Sequence, residues 1–547
     1  MKYILRLALL AAIVQLTACS NMEESDLIIT NARIYTVDKS FSIAGAMAIK
    51  EGKILAVGNS DEIESKYETQ RVYDLDGKPV YPGFIDAHCH FLGYGTGLLR
   101  RADLVGTASF EEVIEKVKAH HEKFPEAFWI EGRGWDQNDW EIKEFPAKEK
   151  LDEAFPDNPV YLTRIDGHAA LANSKALELA GIDAKTKVEG GDVILKKGKP
   201  TGILIDNAMT LVSSIIPDPS DEELASVLKA AQENCFAVGL TGVHDAGLGT
   251  REIRVIDSLQ KSGELQMPMY VMLTPTKENV STYVENGPYA TDRLNVRSVK
   301  LYADGALGSR GAKMIEDYSD DPGNTGLVLT SPDSIREICN IALANGYQVC
   351  THAIGDSANR LMLELYEEFL KGKNDKRWRI EHVQIIAPED FNHFGKYDIV
   401  PSAQPTHATS DMYWAEDRVG TERIKGAYAY SDLLDQTRWI PLGTDFPIES
   451  INPIYTFYAA VVRKDHKGWP ENGFNPENAL TRKEALRGMT IWAAKAAFEE
   501  NEKGSLEPGK YADFVVMEKD IMEIPGEALF DVKVVKTFLR GEEVFSR

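Results

Sequence analysis

The sequence predicts an α/β protein built around a (β/α)8 barrel, on three observations. Eight apolar runs of strand character lie near 82–90, 239–245, 266–273, 297–303, 346–352, 377–383, 398–404 and 438–444, mostly separated by stretches long enough for a crossover helix. Five of these runs end in side chains able to bind a metal, where the strand gives way to a polar or glycine-rich loop. That is the end of such a barrel at which active sites collect. The two chain ends have a different grammar, short strands joined by glycine turns.

Taken in order, Lys2 and Arg6 precede an apolar stretch from Leu7 to Val14, followed by Leu16-Thr17-Ala18-Cys19-Ser20. The segment is too short and wrongly flanked to span a membrane. It resembles the signal peptide and lipobox of bacterial lipoproteins. That resemblance implies cleavage of 1–18, acylation of Cys19 and a polar tether over 19–26, with the chain outside the cytoplasm and membrane-attached by lipid alone. In a diderm host, Ser20 after the cysteine implies an outer membrane facing the periplasm.

Segments 27–36, 46–49 and 54–57, with turns at Glu51-Gly52 and Asp76-Gly77, read as strands. So do 511–517 and 534–539, so 26–81 and 500–547 are expected to join in one small composite β-sandwich flanking a barrel domain over 82–499. Between the first two barrel runs the gap is far too long for one helix, which predicts an α+β insertion over 100–236 folded across the barrel mouth. Strand-like 128–132 and 159–163 and helical 174–180 belong to it.

In the stretch PGFIDAHCH, His88 and His90 are one residue apart. A strand points them to one face with Cys89 opposite, whereas a helix separates them by about 200°. Alone, such a pair is commonly solvated or packed structure. Downstream, Lys300, His352, His382 and Asp445 close four further runs; each has a plain alternative as a hydrogen-bonded histidine, a helix cap or an ordinary ion pair.

The ordered set His-x-His, Lys, His, His, Asp, in the phrases PGFIDAHCH, VKLYADGALGSRGA, THAIGD, RIEHVQ and LGTDFP, is similar to the amidohydrolase superfamily, within it the YtcJ-like amidohydrolase-3 group. The resemblance runs from about Leu27 to the C-terminus. It implies a TIM-like metal-dependent hydrolase barrel with one or two divalent ions, zinc being the expected metal. His88 and His90 would hold one ion and His352 and His382 the second, with Lys300 bridging as an N-carboxylate, since an ammonium would repel both. Asp445 would act as general acid/base and touch the first ion. A one-metal arrangement of His88, His90 and Asp445, with His382 polarising the substrate, stays open.

Arg310, in a glycine-rich loop past Lys300, could fork onto a substrate carboxylate; a surface loop charge is the alternative. His168, Trp135 and Asp136 in the insertion resemble pocket-lining positions of this group. His244, Gln404 and His407 also face the metal-binding end, but none is assigned as a ligand.

The chain has 547 residues, 43% hydrophobic and 27% charged, enough for a sizeable core and more than one domain. A net charge of −24 argues against nucleic acid and against electrostatic docking on anionic lipid. Cys89, Cys235, Cys339 and Cys350 are expected to be buried thiols without disulfides. The expected activity is hydrolysis of a carbon–nitrogen bond in an amide-type small molecule (N-acyl, N-formyl or cyclic amide). An ester or lactone hydrolase and a non-catalytic lipid-anchored binding protein are the alternatives. Either form is compatible with a homo-oligomer.

Overall fold

The computed structural model describes residues 22–125 and 127–547. The 1–18 leader and residues 19–21 of the tether, Cys19 among them, therefore lie outside the described residues; Glu23–Glu24, in the rest of the tether, pairs in parallel with Tyr67–Glu68.

Seven barrel strands follow one another in chain order in one parallel sheet: β1 (Phe84–Cys89), β2 (Leu240–Leu248), β3 (Met269–Leu273), β4 (Leu294–Tyr302), β5 (Gln348–Ala353), β6 (Arg379–His382) and β7 (Val400–Ser402). Helices Thr250–Ser262, Pro332–Ala344, Asp356–Leu370 and Phe391–Tyr397 lie in the connections and cover the outer face. With side chains filling the inner face, β1, β3 and β5 are buried at every position, as parallel strands covered on both sides must be.

The eighth run departs from expectation, because 438–444 forms no regular strand. It makes one parallel bridge, Ala403 to Leu442. Gly443 N–H donates to Ala403 O (3.0 Å), and the Ala87 and Asp445 N–H groups exchange with this segment and β1 at 3.2 and 2.8 Å. The chain thus still lies between β7 and β1. A full ladder fails because Pro441 has no N–H to donate and Leu442 N–H turns outward to Gly488 O (3.0 Å).

The insertion holds a six-stranded mixed sheet in the order Ala102–Asp103, Ile130–Trp135, Val160–Arg164, Ala169–Ala172, Lys199–Asp206, Gly191–Lys196. Its apolar clusters are distinct from that of the barrel. The expected helix appears as Ser174–Leu179, capped by the Asn173 side chain on Ala176 N–H.

Two further sheets use the chain ends. One is ordered Lys53–Gly58, Ala46–Lys50, Leu27–Thr30, Val72–Asp74; the other, Glu542–Ser546, Val534–Leu539, Phe514–Met517, Pro79–Pro82, Arg33–Tyr35, Ile43–Ala44. Ile29, Met47, Val80, Phe514 and Phe538 from the two sheets share one buried cluster. Cys89, Cys235, Cys339 and Cys350 are free and buried. No described helix is long and apolar enough to cross a membrane.

Candidate metal centre

At the C-terminal end of the barrel, each histidine is oriented by an acceptor on one ring nitrogen. His88 Nδ1 lies 2.7 Å from Glu381 Oε2, and Arg379 grips the same carboxylate, its Nε 2.6 Å from Oε1. Burial opposes ionisation of Glu381, but Arg379 and His88 outweigh it and hold the carboxyl well below its ordinary range. Against that anion Nδ1 must donate, so the lone pair of His88 sits on Nε2. His90 Nδ1 donates to Ala246 O (3.0 Å), and His382 Nδ1 to Gln404 Oε1 (2.8 Å). His352 Nε2 donates to Gly305 O (3.3 Å). Burial lowers the pKa of all four, that of His90 to about 3, so they are neutral at physiological pH, the form that can bind a metal.

Asp445 completes the cup. Its Oδ1 is 3.5 Å from His90 Nε2 and 3.8 Å from His88 Nε2, and it is buried with no hydrogen-bond partner. Three acceptor lone pairs therefore converge, none carrying a ring proton and only His88 Nε2 met by a donor, Lys300 Nζ at 3.2 Å, an arrangement that suits a cation. Donor atoms of His88, His382 and Asp445 all lie within 4.8 Å of one another, and the His352 and His382 ring centroids are 4.5 Å apart. Lys300, 1% exposed, points its Nζ at His88 Nε2 (3.2 Å) over the Tyr302 ring. No ion pair of Lys300 is found among the described residues, so the ordinary salt bridge has no partner there.

Backbone geometry explains how His382 arrives. Strict alternation along β6 would turn His382 away from Glu381, yet φ is +77° at His382 and +42° at Val383. This left-handed excursion is costly for residues with a Cβ. It lets Arg379 and Glu381 stay in the barrel interior while His382 swings into the cup. Asp445 is likewise left-handed, φ +62°.

From the insertion, His168 reaches the cup, its ring 4.9 Å from that of His352 and its Nδ1 2.6 Å from Asp206 Oδ1. The other three expected substrate contacts stand elsewhere. Trp135 is 1% exposed inside the insertion core, donating Nε1–H to Leu162 O (2.8 Å). Asp136 pairs with the buried Arg164 and caps a turn through Asn138 N–H. Arg310 has its fork filled by Asp320, at 3.2 and 2.9 Å. Each of these polar groups already has an internal partner that no motif could reveal.

Sequence reasoning passed over Glu381, Arg379 and Tyr302, and placed Gln404 and His407 at this end of the barrel without giving them a role. His407 Nε2 lies 3.2 Å from Asp445 Oδ2, and its Nδ1 3.2 Å from Glu449. Burial disfavours a charged His407, but these two carboxylates raise it to about 10, making it a cation against Asp445. His244 is a core residue whose Nδ1 accepts from Arg379 (3.1 Å). The adjacency of Glu381 to His382 in RIEH was the one available signal.

Residues 71–545 match the Amidohydrolase family. LONG AFTER FAR-RED 3 of Arabidopsis thaliana is 34% identical, over 95% of this chain and 92% of its own. An N-substituted formamide deformylase of Arthrobacter pascens is 28% identical, over 94% and 97%. A solved metal-dependent hydrolase from Pyrococcus horikoshii superposes with a TM-score of 0.74 at 28% identity, covering 91% and 99%.

Proposed function

Because this chain belongs to the amidohydrolase family, we propose that it is a metal-dependent hydrolase that cleaves a carbon–nitrogen bond of an amide-type small molecule, N-acyl, N-formyl or cyclic. The observation that carries the reading is the buried, unpartnered Asp445 Oδ1 facing the proton-free Nε2 atoms of His88 and His90. Zinc fits the imidazole and carboxylate donors. When bound, such an ion acidifies water and polarises the scissile carbonyl oxygen.

The chain's own groups do the rest. Asp445 takes a proton from the attacking water and passes it to the leaving nitrogen as the bond to carbon breaks. His407, cationic at 3.2 Å, keeps Asp445 ionised before that transfer. Glu381 fixes the His88 tautomer, and Gln404 that of His382. For Lys300 the reading adds a carbamate: as the free amine, Nζ would attack carbon dioxide, a C–N bond forming as one C=O π bond opens and one proton leaves, which gives a single negative charge shared by two oxygens where an ammonium would repel the ion. The kinship with a formamide deformylase supports N-formyl compounds among the first substrates to try. By its leader pattern, the mature chain is proposed to work outside the cytoplasm, anchored through lipid on Cys19.

The test is elemental analysis of the purified protein together with hydrolysis of N-acyl amino acids, formamides, hydantoin-like rings and lactones, with Asp445→Asn alongside. Bound metal and amide turnover that the variant loses support the reading. Lactone turnover alone moves the bond to an ester. Metal without any turnover favours a binding protein, and a fully active Asp445→Asn removes Asp445 from its role.

A further inference from the structure

Arg133 lies on the insertion strand Ile130–Trp135 between Gly132 and Gly134. Its guanidinium lies against Gly167: a Cβ there would meet Nη2 at 3.4 Å and Nη1 at 3.5 Å. Nη2 donates to Ile165 O (3.0 Å), while Nε is buried without a partner. Gly167 precedes His168, whose ring is 4.9 Å from His352, so Arg133 and His168 share one wall of the cup. Burial, with Arg101 nearby, disfavours the Arg133 charge and lowers its pKa to about 10, against the support of Asp166 and Asp445; the same charge helps to keep His90 unprotonated.

Arg133 forms no ion pair among the described residues, although the chain carries 24 more acidic than basic charges. Neighbouring acids are engaged elsewhere: Asp166 by Arg164 (2.6 Å) and Glu131 by Arg101 (3.3 Å). A part-buried guanidinium without a counter-charge is expensive unless something supplies one. Beside a cup built for cations, an incoming anion does so, and the planar fork suits an oxyanion. Arg310, the other candidate, is filled by Asp320.

We infer that Arg133 receives a carboxylate of the substrate, so that the enzyme prefers amides bearing a free acid over neutral amides. This rests on the hydrolase reading above and narrows its substrate class. The experiment uses metal-loaded protein and matched pairs, N-formyl and N-acetyl amino acids against the corresponding amino-acid carboxamides. Expected is a preference for the acid on the order of 10- to 100-fold in kcat/KM, carried mainly by KM, the range for a hydrogen bond to a charged group. Arg133→Gln should collapse that ratio toward one, and Arg133→Lys should restore part of it. A wild-type ratio near one overturns the inference, as does an Arg133→Gln that slows acid and carboxamide alike.

If no amide of either kind is turned over, the hydrolase reading fails, and calorimetric binding of N-acetyl amino acids decides the inference separately. Binding that is weakened in Arg133→Gln sustains it; equal binding, or none to wild type, overturns it. Should Arg133→Gln fail to fold, the wild-type ratio and Arg133→Lys still decide.

Discussion

Glu381 Oε2 stands 2.7 Å from His88 Nδ1 while Arg379 holds the other face of the same carboxylate, all three side chains fully buried. The pairing couples the centre of the barrel to its mouth, since Arg379 also donates to Ala87 O of β1 and to Ser402 Oγ (3.1 Å) of β7.

Glu381→Gln should therefore lower metal affinity by roughly 10- to 100-fold, as loss of an outer carboxylate partner to a ligating histidine does. It should also destabilise the fold by about 3–5 kcal/mol, because Arg379 is left buried without its anion. Chelator competition and urea unfolding read the two effects apart. Unchanged affinity would mean that His88 is no ligand.

Asp445→Asn should cut kcat by about 10²- to 10⁴-fold, the usual range for a general acid/base. His407→Gln removes only the cation at 3.2 Å, so a smaller loss with metal content retained is expected. Steady-state kinetics beside elemental analysis distinguish these, and equal losses would make His407 part of the machinery in its own right.

Stripping the ion should leave Asp445 Oδ1 and the histidine lone pairs facing one another uncompensated. Chelator treatment is expected to lower Tm, and zinc to restore it; zinc at 100 times its Kd contributes about 2.7 kcal/mol. A Tm indifferent to chelator and to added zinc would contradict a metal centre here.

Asp411 gives a pH test apart from the ligands. Burial is the largest influence on it and raises its carboxyl to about 7, against the lowering effects of His407 and the Tyr428 hydroxyl, which donates at 2.7 Å. The folded state thus binds this proton more tightly than the unfolded chain, whose value is about 3.9. Its contribution is fully present below about pH 4 and is lost as pH rises through 7. Asp411→Asn removes that slope, so its stability relative to wild type should grow between pH 5 and 8. Urea midpoints at the two values check the sign, and a constant difference refutes it.

The lipid proposal makes its own forecast. Cys19→Ala should move the protein from the membrane fraction to the soluble one, with turnover retained, as immunoblots of fractionated cells would report. Membrane retention of the variant would rule out that anchor.

Much was legible in the residue order because it depends on local periodicity. His88 and His90 share a face by strand alternation, and PGFIDAHCH, THAIGD and LGTDFP each pair an apolar run with a loop. Seven of the eight runs became barrel strands. What escaped was partnership. Arg310, Asp136 and Trp135 are chemically able to meet a substrate, but Asp320 in the same loop as Arg310, and Arg164 and Leu162 O on the strand beside Ile130–Trp135, engage them first.

By itself, then, the sequence determined the class of fold, the ordered ligand candidates and the metal chemistry they suit, because strand period and side-chain donor type are local properties. Only the tertiary structure decided which donors face one another, that φ +77° turns His382 into the cup, and that Asp320 takes up Arg310 while Arg133 has no ion pair among the described residues. Strand period and donor type do not encode such backbone excursions and pairings, which are fixed when the barrel and its insertion pack.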